Sequence, residues 1–178
     1  DEFVNIRTGN GTLNDFFAAA PEATNIAMTW RLFGHNGVTA LSGAPVIGQF
    51  DHCAPSFCPK PHTAWGFKTM FRNIGAYEKL SCHRPNKLND ARAEGVKWVN
   101  GAGRDMTRDA LRNGWRSSKS NIGYDLLQLN HYALRSADSF LNCAQNTKRA
   151  LLGIAPRQKN CTRYQSSAIS TAKRLTPS

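Results

Sequence analysis

The sequence predicts an α/β protein, because short apolar runs with the composition of strands alternate with a few short helical segments and long loops. The chain has 178 residues, 40% of them hydrophobic and four of them tryptophan. This length is enough to bury one sizeable core, so a single domain or a large part of one is expected. No apolar run approaches the ~20 residues of a membrane span. The absence of an initiating methionine suggests a fragment or a processed chain.

The first third of the chain contains a predicted turn, a helix, a buried strand and a loop. Residues 8–12 (TGNGT) are predicted to turn, and residues 13–20 after them to form a short helix that a proline ends. Residues 25–33 (NIAMTWRLF) have the β-branched and aromatic content of a buried strand, which a Gly-His-Asn-Gly sequence stops. Residues 49–61 are predicted to be a loop, because three prolines fall within their last seven positions.

Three apolar segments follow. Residues 64–72 (AWGFKTMFR) and 79–84 are predicted strands, and the first of them places Lys68 among aromatic side chains. A polar region at 86–95 separates them from a shorter apolar stretch at 98–103 (WVNGAG), which glycines close.

The last strong strand is predicted at 121–134 and carries His131 near its end. Asp125 stands six residues before His131, so the alternation of side chains along a strand predicts that both lie on one face. Ser136 then offers an N-cap for a helix that includes 140–141.

The net charge of +11 is unevenly distributed along the chain. Residues 1–141 hold 16 Lys and Arg and all 12 acids, whereas residues 142–178 hold seven Lys and Arg and no acid. A basic, Ser/Thr-rich tail is typically poorly ordered and touches anionic lipid or nucleic acid without specificity. Two interpretations of the positive charge stay open. It could belong mainly to the tail of an ordinary domain, or the chain could be a basic nucleic-acid-binding module that stacks bases on Trp and Phe.

Two sets of residues have the chemistry of metal ligands. Cys53 and Cys58 flank a proline-containing loop, and His52, His62 and the Cys82–His83 pair are the further candidate ligands. A zinc cluster is therefore weighed against the reduced thiols of a cytoplasmic protein and the disulfides of a secreted one. Five cysteines are an odd number, which argues against a fully paired disulfide framework. The second set joins the two ends of the predicted fold: the carboxylate of Asp1 precedes an apolar run, and the imidazole of His131 stands at a strand end. An oxygen and a nitrogen ligand suggest one metal site.

Short segments in a characteristic order and spacing give the chain a family resemblance. They are DEFVNI at 1–6, WRLFG at 30–34, FKTMFR at 67–72, HRP at 83–85, WVNGAG at 98–103, WRSS at 115–118, and GYDLLQLNHYALRS at 123–136 with SFL up to Leu141. Together they resemble the bacterial family 2 glycosyltransferases of the GT-A fold, in the branch whose metal motif reads D-x-D-E-F. The resemblance covers residues 1–141 and marks this chain as the carboxy-terminal part of such a domain.

The resemblance implies an incomplete GT-A-like mixed sheet flanked by short helices, lacking the amino-terminal nucleotide-binding βαβ half. Residues 1–141 would form the acceptor-side and metal-ligand part, and residues 142–178 a divergent basic tail. Asp1 matches the final Asp of the D-x-D-E-F motif, and His131 is similar to the carboxy-terminal His of metal-dependent GT-A enzymes. The pair would therefore bind Mn²⁺ or Mg²⁺.

The chemistry of a diphosphate leaving group selects further candidate residues. Lys68, Arg72 and Arg135 are candidate ligands of the donor diphosphate, because ammonium and guanidinium groups recognise phosphate oxygens. An inverting transfer also needs a carboxylate base, for which Asp51, Asp105 and Asp125 are open, and Asp125 is named because it precedes His131 in the same predicted strand. The residues predicted to line the cleft are His83, Asn100 and Trp30.

The tryptophans have two interpretations. They could offer flat faces for a sugar ring, or they could pack in the core with their indole N–H groups hydrogen-bonded, and we favour core packing. The residues concerned are Trp30, Trp65, Trp98 and Trp115.

The chain is therefore predicted to belong to a metal-dependent glycosyltransferase that moves a sugar from a nucleotide-sugar donor to a glycan or lipid-linked acceptor of the cell envelope or an exopolysaccharide. Little or no activity is expected from this segment alone, because its donor pocket would be incomplete. A cytoplasmic location is expected, with peripheral contact between the basic tail and anionic lipid at the inner membrane and no specific nucleic-acid partner. The alternative is the basic nucleic-acid-binding module.

Overall fold

A computed structural model describes residues 1–40, 42–58, 64–112, 114–133, 135–139 and 141–142. Within these ranges the strands are β1 (Glu2–Ile6), β2 (Asn25–Leu32), β3 (Phe67–Phe71), β4 (Tyr77–Leu80), β5 (Pro85–Leu88), β6 (Trp98–Asn100) and β7 (Leu127–His131). The α-helices are α1 (Leu13–Ala19), α2 (Val46–Gln49) and α3 (Thr107–Arg112), and a 3₁₀ helix covers Asp90–Gly95. The predicted α/β class is confirmed.

The main sheet is mixed. Strands β1, β7, β2 and β3 lie side by side in that order, and β6 also pairs with β2. Strand β2 runs antiparallel to β3, with Asn25 opposite Phe71 and Thr29 opposite Phe67, and parallel to β6, with Asn25 opposite Trp98. Strands β4 and β5 form a separate antiparallel hairpin. Strand β2 therefore pairs with three of the other four strands of this sheet, β7, β3 and β6, whereas β1 pairs with β7.

The chain divides into two compact units. The sheet unit contains Glu2–Arg31 and Pro59–Asn130, and the loop unit contains Asp1, Leu32–Cys58 and the chain from His131 onward. Strands β2 and β7 each end with one residue that belongs to the loop unit.

Strand β2 lies in the core of the sheet unit because its sequence is apolar on both faces. Its first six residues are all buried, as expected for a strand with a neighbour on each side and side chains packed above and below. Ala27 of β2 packs in one cluster with Phe67, Trp98, Met106 and Ala110, which come from β3, β6 and the region of α3. The prediction of a buried strand at this place is confirmed.

Helix α1 begins where the sequence predicts, directly after the glycine-rich turn. Thr12 is its N-cap: the hydroxyl accepts from the Asp15 N–H at 3.3 Å, and the Asp15 carboxylate accepts from the Thr12 N–H at 2.9 Å. This reciprocal pair is a capping box and satisfies N–H groups that the first helical turn leaves without partners. Hydrogen bonds from the Thr12 hydroxyl and then from its backbone N–H hold the pKa of Asp15 below its usual value.

The predicted strand at 79–84 is wrong in its second half. Strand β4 ends at Leu80, and the chain turns there, with the Ser81 N–H donating to the Arg84 carbonyl at 3.1 Å. Strand β5 then returns in antiparallel register inside the region that the sequence predicted to be only polar. Residues 85–88 are extended because they pair with β4, and the pattern of hydrophobic residues in the sequence does not predict such a tertiary contact.

Strand β7 is shorter than predicted. The Gly101 carbonyl accepts from the N–H groups of both Leu126 and Leu127, at 2.9 and 2.8 Å, and this close approach keeps the preceding residues out of the ladder. Asp125 consequently precedes β7 and is not part of it. The prediction that Asp125 and His131 share one face of a strand is therefore wrong.

The predicted N-cap at Ser136 is confirmed. The Ser139 N–H donates to the Ser136 hydroxyl at 3.2 Å, and residues 137–139 are helical. In the part of the chain that the structure describes, no helix combines the length and hydrophobicity needed to cross a membrane. Predictions that fall outside the described residues concern Phe140, the end of the proline-rich loop at 59–61 and the basic tail from 143 onward.

Candidate functional site

The two predicted metal ligands lie close together in the loop unit. Nε2 of His131 is 3.9 Å from Oδ2 of Asp1. Only 8% of the His131 side chain is exposed, whereas 52% of the Asp1 side chain is. The pair therefore combines a nitrogen ligand fixed by packing with a carboxylate that has room to rotate.

Hydrogen bonds of the main chain bring these residues together. The Tyr132 N–H donates to the Asp1 carbonyl at 2.8 Å, and the Arg7 N–H donates to the Leu126 carbonyl at 2.8 Å. Residue numbers rise on one strand as they fall on the other, so β1 and β7 are antiparallel neighbours. In this register Asp1, which precedes β1, lies opposite Tyr132, which follows β7, and the Asp1 side chain therefore comes near the adjacent residue, His131.

Aromatic rings pack next to His131 in the loop unit. Tyr132 is buried, and its ring stacks on Phe33 with 4.6 Å between ring centres and lies 6.4 Å from the ring of Phe50. The Phe33 N–H also donates to the His131 carbonyl at 2.9 Å. These contacts restrict movement of the chain that carries the imidazole.

The separation of Asp1 and His131 suits the ligands of one cation. Carboxylate oxygens and imidazole nitrogens bind small divalent cations at about 2.1 Å, so two ligands of one ion lie roughly 3 Å apart when adjacent and 4.2 Å apart when opposite. The observed 3.9 Å lies inside this interval. Among the described residues, no three His, Cys, Asp or Glu side chains are grouped so that they could hold a metal ion. That finding covers Cys53 and Cys58 of the zinc alternative, whereas His62 lies outside the described residues.

Arg135, a predicted diphosphate ligand, follows in the loop unit. Its φ of 50° lies in the left-handed region that residues other than glycine rarely adopt. Its Nε is buried and has no hydrogen-bond partner among the described residues. A buried donor without an acceptor costs free energy, so Arg135 has capacity left for an anion.

The predicted phosphate ligands of the sheet unit both have protein partners. Lys68 lies on β3, where its ammonium donates to the Cys82 carbonyl at 2.9 Å and lies 3.9 Å from the carboxylate of Glu2. The guanidinium of Arg72 lies over the ring of Phe17, 4.8 Å from its centre. Both cations therefore contribute to the folded structure of the unit.

His83, a predicted cleft residue, belongs to an aromatic group. Its ring stacks on Trp115 with 4.4 Å between centres, and the edge of Trp30 lies 5.7 Å away. The distance from Nδ1 to the Phe67 carbonyl is 3.2 Å, so Nδ1 carries the proton in this contact. Burial, and then the positive charge of Lys68, lower the pKa of His83, while the Phe67 carbonyl acts in the opposite direction.

An open cleft of about 570 Å³ lies beside the β4–β5 hairpin, and we call it the hairpin cleft. Its lining includes Tyr77, Ser81, His83, Arg84, Lys87 and Trp115, and no acidic residue among those described. Arg84 is half-buried there: Nη1 donates to the carbonyls of Ala110 and Gly114, at 2.6 and 2.9 Å, and the guanidinium lies over the ring of Trp98. The Ala110 carbonyl belongs to the carboxyl end of α3, which a cation stabilises, and Gly114 follows the helix.

The sequence indicates His83 as a cleft residue but does not indicate Arg84 or Lys87. Their positions depend on the hairpin, and the sequence predicted a continuous strand up to position 84. The available signal was the presence of basic residues at 84 and 87, next to the HRP segment. Basic residues alone do not distinguish a cleft from a solvent-exposed turn.

Asn100 and Asp125 interact with their own surroundings. The Asn100 carbonyl oxygen accepts from the N–H groups of Ala102 and Arg104, at 2.9 and 3.0 Å, and its amide donates to the Asn121 carbonyl at 2.9 Å. The carboxylate of Asp125 lies 3.2 Å from the guanidinium of Arg104, and its side chain is 70% exposed. In the described part of the chain, no hydrogen bond or ion pair joins either residue to another predicted site residue.

The burial expected of core packing is confirmed for three tryptophans, and the predicted indole hydrogen bond is observed at Trp98. Trp30, Trp65 and Trp98 are all at most 3% exposed, and the Trp98 indole N–H donates to the Tyr77 hydroxyl at 3.0 Å. Trp115 is partly exposed, and the guanidinium of Arg116 lies 4.4 Å from its ring centre in addition to the stacked His83. The tryptophans of the sheet unit therefore pack against protein groups.

No protein-family model, curated protein or solved structure matches this chain. The fold is accordingly established as an α/β protein with a mixed sheet and a few short helices, and the glycosyltransferase resemblance stays a prediction.

Proposed function

We propose that this chain is part of a metal-dependent glycosyltransferase that transfers a sugar from a nucleotide-sugar donor to a glycan or lipid-linked acceptor. The observation that carries the proposal is the 3.9 Å separation of Asp1 and His131. The family resemblance assigns both residues to one cation, and they are 130 positions apart in the sequence. Proximity along the chain therefore does not explain why they meet.

The chemistry of the pair suits this role. A divalent cation held there would act as a Lewis acid that stabilises the negative charge of the departing diphosphate. Asp1 supplies a carboxylate and His131 supplies Nε2 of an imidazole. Of the two ions predicted, one imidazole ligand favours Mn²⁺, because Mg²⁺ prefers oxygen ligands throughout. Two protein ligands leave room for the diphosphate oxygens.

The remaining roles are part of the same proposal. Arg135 is the best supported of the three diphosphate candidates, because its Nε lacks an acceptor among the described residues, whereas Lys68 and Arg72 have protein partners. Asp125 is kept as the candidate base, with an exposed carboxylate. We also propose a cytoplasmic location with peripheral contact at the inner membrane. Burial of three tryptophans disfavours the nucleic-acid-binding alternative, which needs exposed stacking faces.

Calorimetric titration with Mn²⁺ tests the proposed site. We expect Asp1→Asn and His131→Gln each to weaken Mn²⁺ binding by about tenfold or more, because each removes a ligand. The loop unit offers a matched control in Asp51 and His52, an exposed Asp–His pair with 2.7 Å between its nitrogen and oxygen atoms. Asp51→Asn and His52→Gln should leave the affinity unchanged.

A nucleoside diphosphate extends the test from metal binding to the proposed reaction. Uridine and guanosine diphosphate should each tighten Mn²⁺ binding in the unchanged chain and have less effect in Asp1→Asn, since coupling between two ligands is reciprocal. Equal Mn²⁺ affinity in the Asp1 and Asp51 variants would contradict the site. Mn²⁺ binding that no diphosphate strengthens would leave a metal site but remove the support for a transferase.

A further inference from the structure

The hairpin cleft collects positive charge that the described residues do not neutralise. Arg84 and Lys87 both line it, no acidic side chain does, and neither cation has a carboxylate within 4.0 Å among the described residues. Arg84 donates through Nη1 and Nε, which leaves Nη2 without a protein acceptor in that part of the chain. A half-buried cation without a counter-ion favours the binding of an anion.

Lys87 provides a second and independent observation. Its φ is 55°, a left-handed backbone conformation within a strand. The register that pairs Tyr77 with Leu88 and Lys79 with Asn86 sets Lys87 opposite Glu78, where an antiparallel pair normally forms a favourable cross-strand ion pair. No such ion pair is present between these described residues.

Lys87 therefore lacks both the regular backbone conformation of a strand and an ion pair with Glu78. A left-handed conformation costs a lysine free energy and persists only where the surroundings impose it, which is common at binding sites. Strain and a cleft lined by cations coincide at one residue. A purely structural role for the lysine would instead favour the regular strand and the ion pair with Glu78.

We propose that the hairpin cleft binds an oxyanion, a phosphate or carboxylate group on a sugar-sized ligand, through Arg84 and Lys87. The cleft volume of about 570 Å³ lies within the usual range for small-molecule sites. Ser81 and Asn86 also line the cleft, where the Asn86 amide donates to the Ser81 hydroxyl at 2.7 Å, and that hydroxyl keeps a proton that it can donate to the uncharged part of such a ligand. This site goes beyond the proposed transferase function, because that function gives no role to Arg84 or Lys87.

Titration of the whole chain with inorganic phosphate, glucose 6-phosphate, glucuronate and glucose tests the proposal. Glucose 6-phosphate or glucuronate should bind more tightly than glucose, and the stronger of the two identifies the phosphate or the carboxylate as the preferred group. Inorganic phosphate should compete with the preferred ligand. Lys87→Gly should weaken binding about tenfold or more, because it removes a hydrogen bond between two charged groups.

The variants separate binding from folding. Lys87→Gly relieves the left-handed backbone, so its unfolding temperature should be equal to or above that of the unchanged chain. Lys87→Arg should retain binding, and Lys79→Ala, a control on the neighbouring strand outside the cleft lining, should leave it unchanged. Equal binding of glucose 6-phosphate, glucuronate and glucose, absence of binding, or equal losses in Lys87→Gly and Lys79→Ala would each overturn the proposal.

Discussion

Replacement of Gly66 by alanine should destabilise the sheet unit more than most single-residue changes. Gly66 is buried beside two indole rings: an added Cβ would lie 2.7 Å from Cζ3 of Trp115 and closer still to the ring of Trp30. The backbone has little freedom to move away. The Gly66 carbonyl accepts from the Trp30 N–H at 2.8 Å, and the Phe67 N–H donates to the Trp115 carbonyl at 2.9 Å.

The expected size follows from this geometry. Overpacking of a closed site by a methyl group typically costs 1–3 kcal/mol, and contacts shorter than 3.0 Å to two rings place Gly66→Ala at about 3 kcal/mol. For a chain of this size, that corresponds to a fall of roughly 6–12 °C in the unfolding temperature. Urea denaturation followed by tryptophan fluorescence measures the change directly, since both affected rings are indoles.

Gly95→Ala is the matched control for this prediction. Its added Cβ would meet only Cδ1 of Ile74 at 3.7 Å, an ordinary contact, and the same unit carries both positions. We expect a change of less than about 0.5 kcal/mol there. If Gly66→Ala unfolds within 0.5 kcal/mol of Gly95→Ala, the claimed packing of Gly66 against the two rings is incorrect.

Two further predictions concern the helix cap and the partly buried imidazole of His83. Thr12→Ala should cost about 1 kcal/mol of stability, measured by thermal unfolding, while Thr12→Ser should keep the cap. The pKa of Asp15 is lowered in the folded chain, so its ionised carboxylate stabilises the fold above pH 3.8, and this stabilisation is lost as the pH falls through the lowered pKa. Thr12→Ala should make the loss of stability in acid smaller. His83 also has a lowered pKa, so the folded chain favours its neutral form and should lose stability as the pH falls below 6.5. His83→Gln should flatten this slope in urea titrations between pH 7.5 and 5, and an unchanged slope would show that other groups cause it.

The parts of the fold that the sequence predicted correctly are those with local causes. Strand β2 follows from a continuous apolar run, and α1 from the Thr12–Asp15 capping pair between a glycine turn and a proline. Strand β5 was missed and β7 was predicted too long because contacts distant in sequence decide both. Pairing with β4 extends the chain at β5, and the approach of Gly101 to Leu127 shortens β7.

The candidate sites divide in the same way. The sequence identified Asp1 and His131 by residue type and resemblance, which are properties of the chain itself. It gave no indication of Lys87, whose backbone conformation and cleft exist only after the hairpin has formed. An anion-binding site formed by a hairpin is therefore harder to predict than a metal site whose ligands lie at the ends of recognisable strands.

The Asp1–His131 pair depends on the register of β1 against β7, and the side chains of β1 do not set that register. The three central residues of β1 are exposed, and a strand without a buried face resists slipping only weakly. Main-chain hydrogen bonds at both ends supply the register, with weak support from Arg7, whose guanidinium donates to the Tyr124 carbonyl at 3.4 Å and to Gln128 at 3.5 Å. A slip of one residue moves the backbone by about 3.3 Å and turns the side chains of β1 to the opposite face, so the observed 3.9 Å separation of Asp1 and His131 depends on this register. Cation binding and the pairing of this strand should therefore stabilise each other.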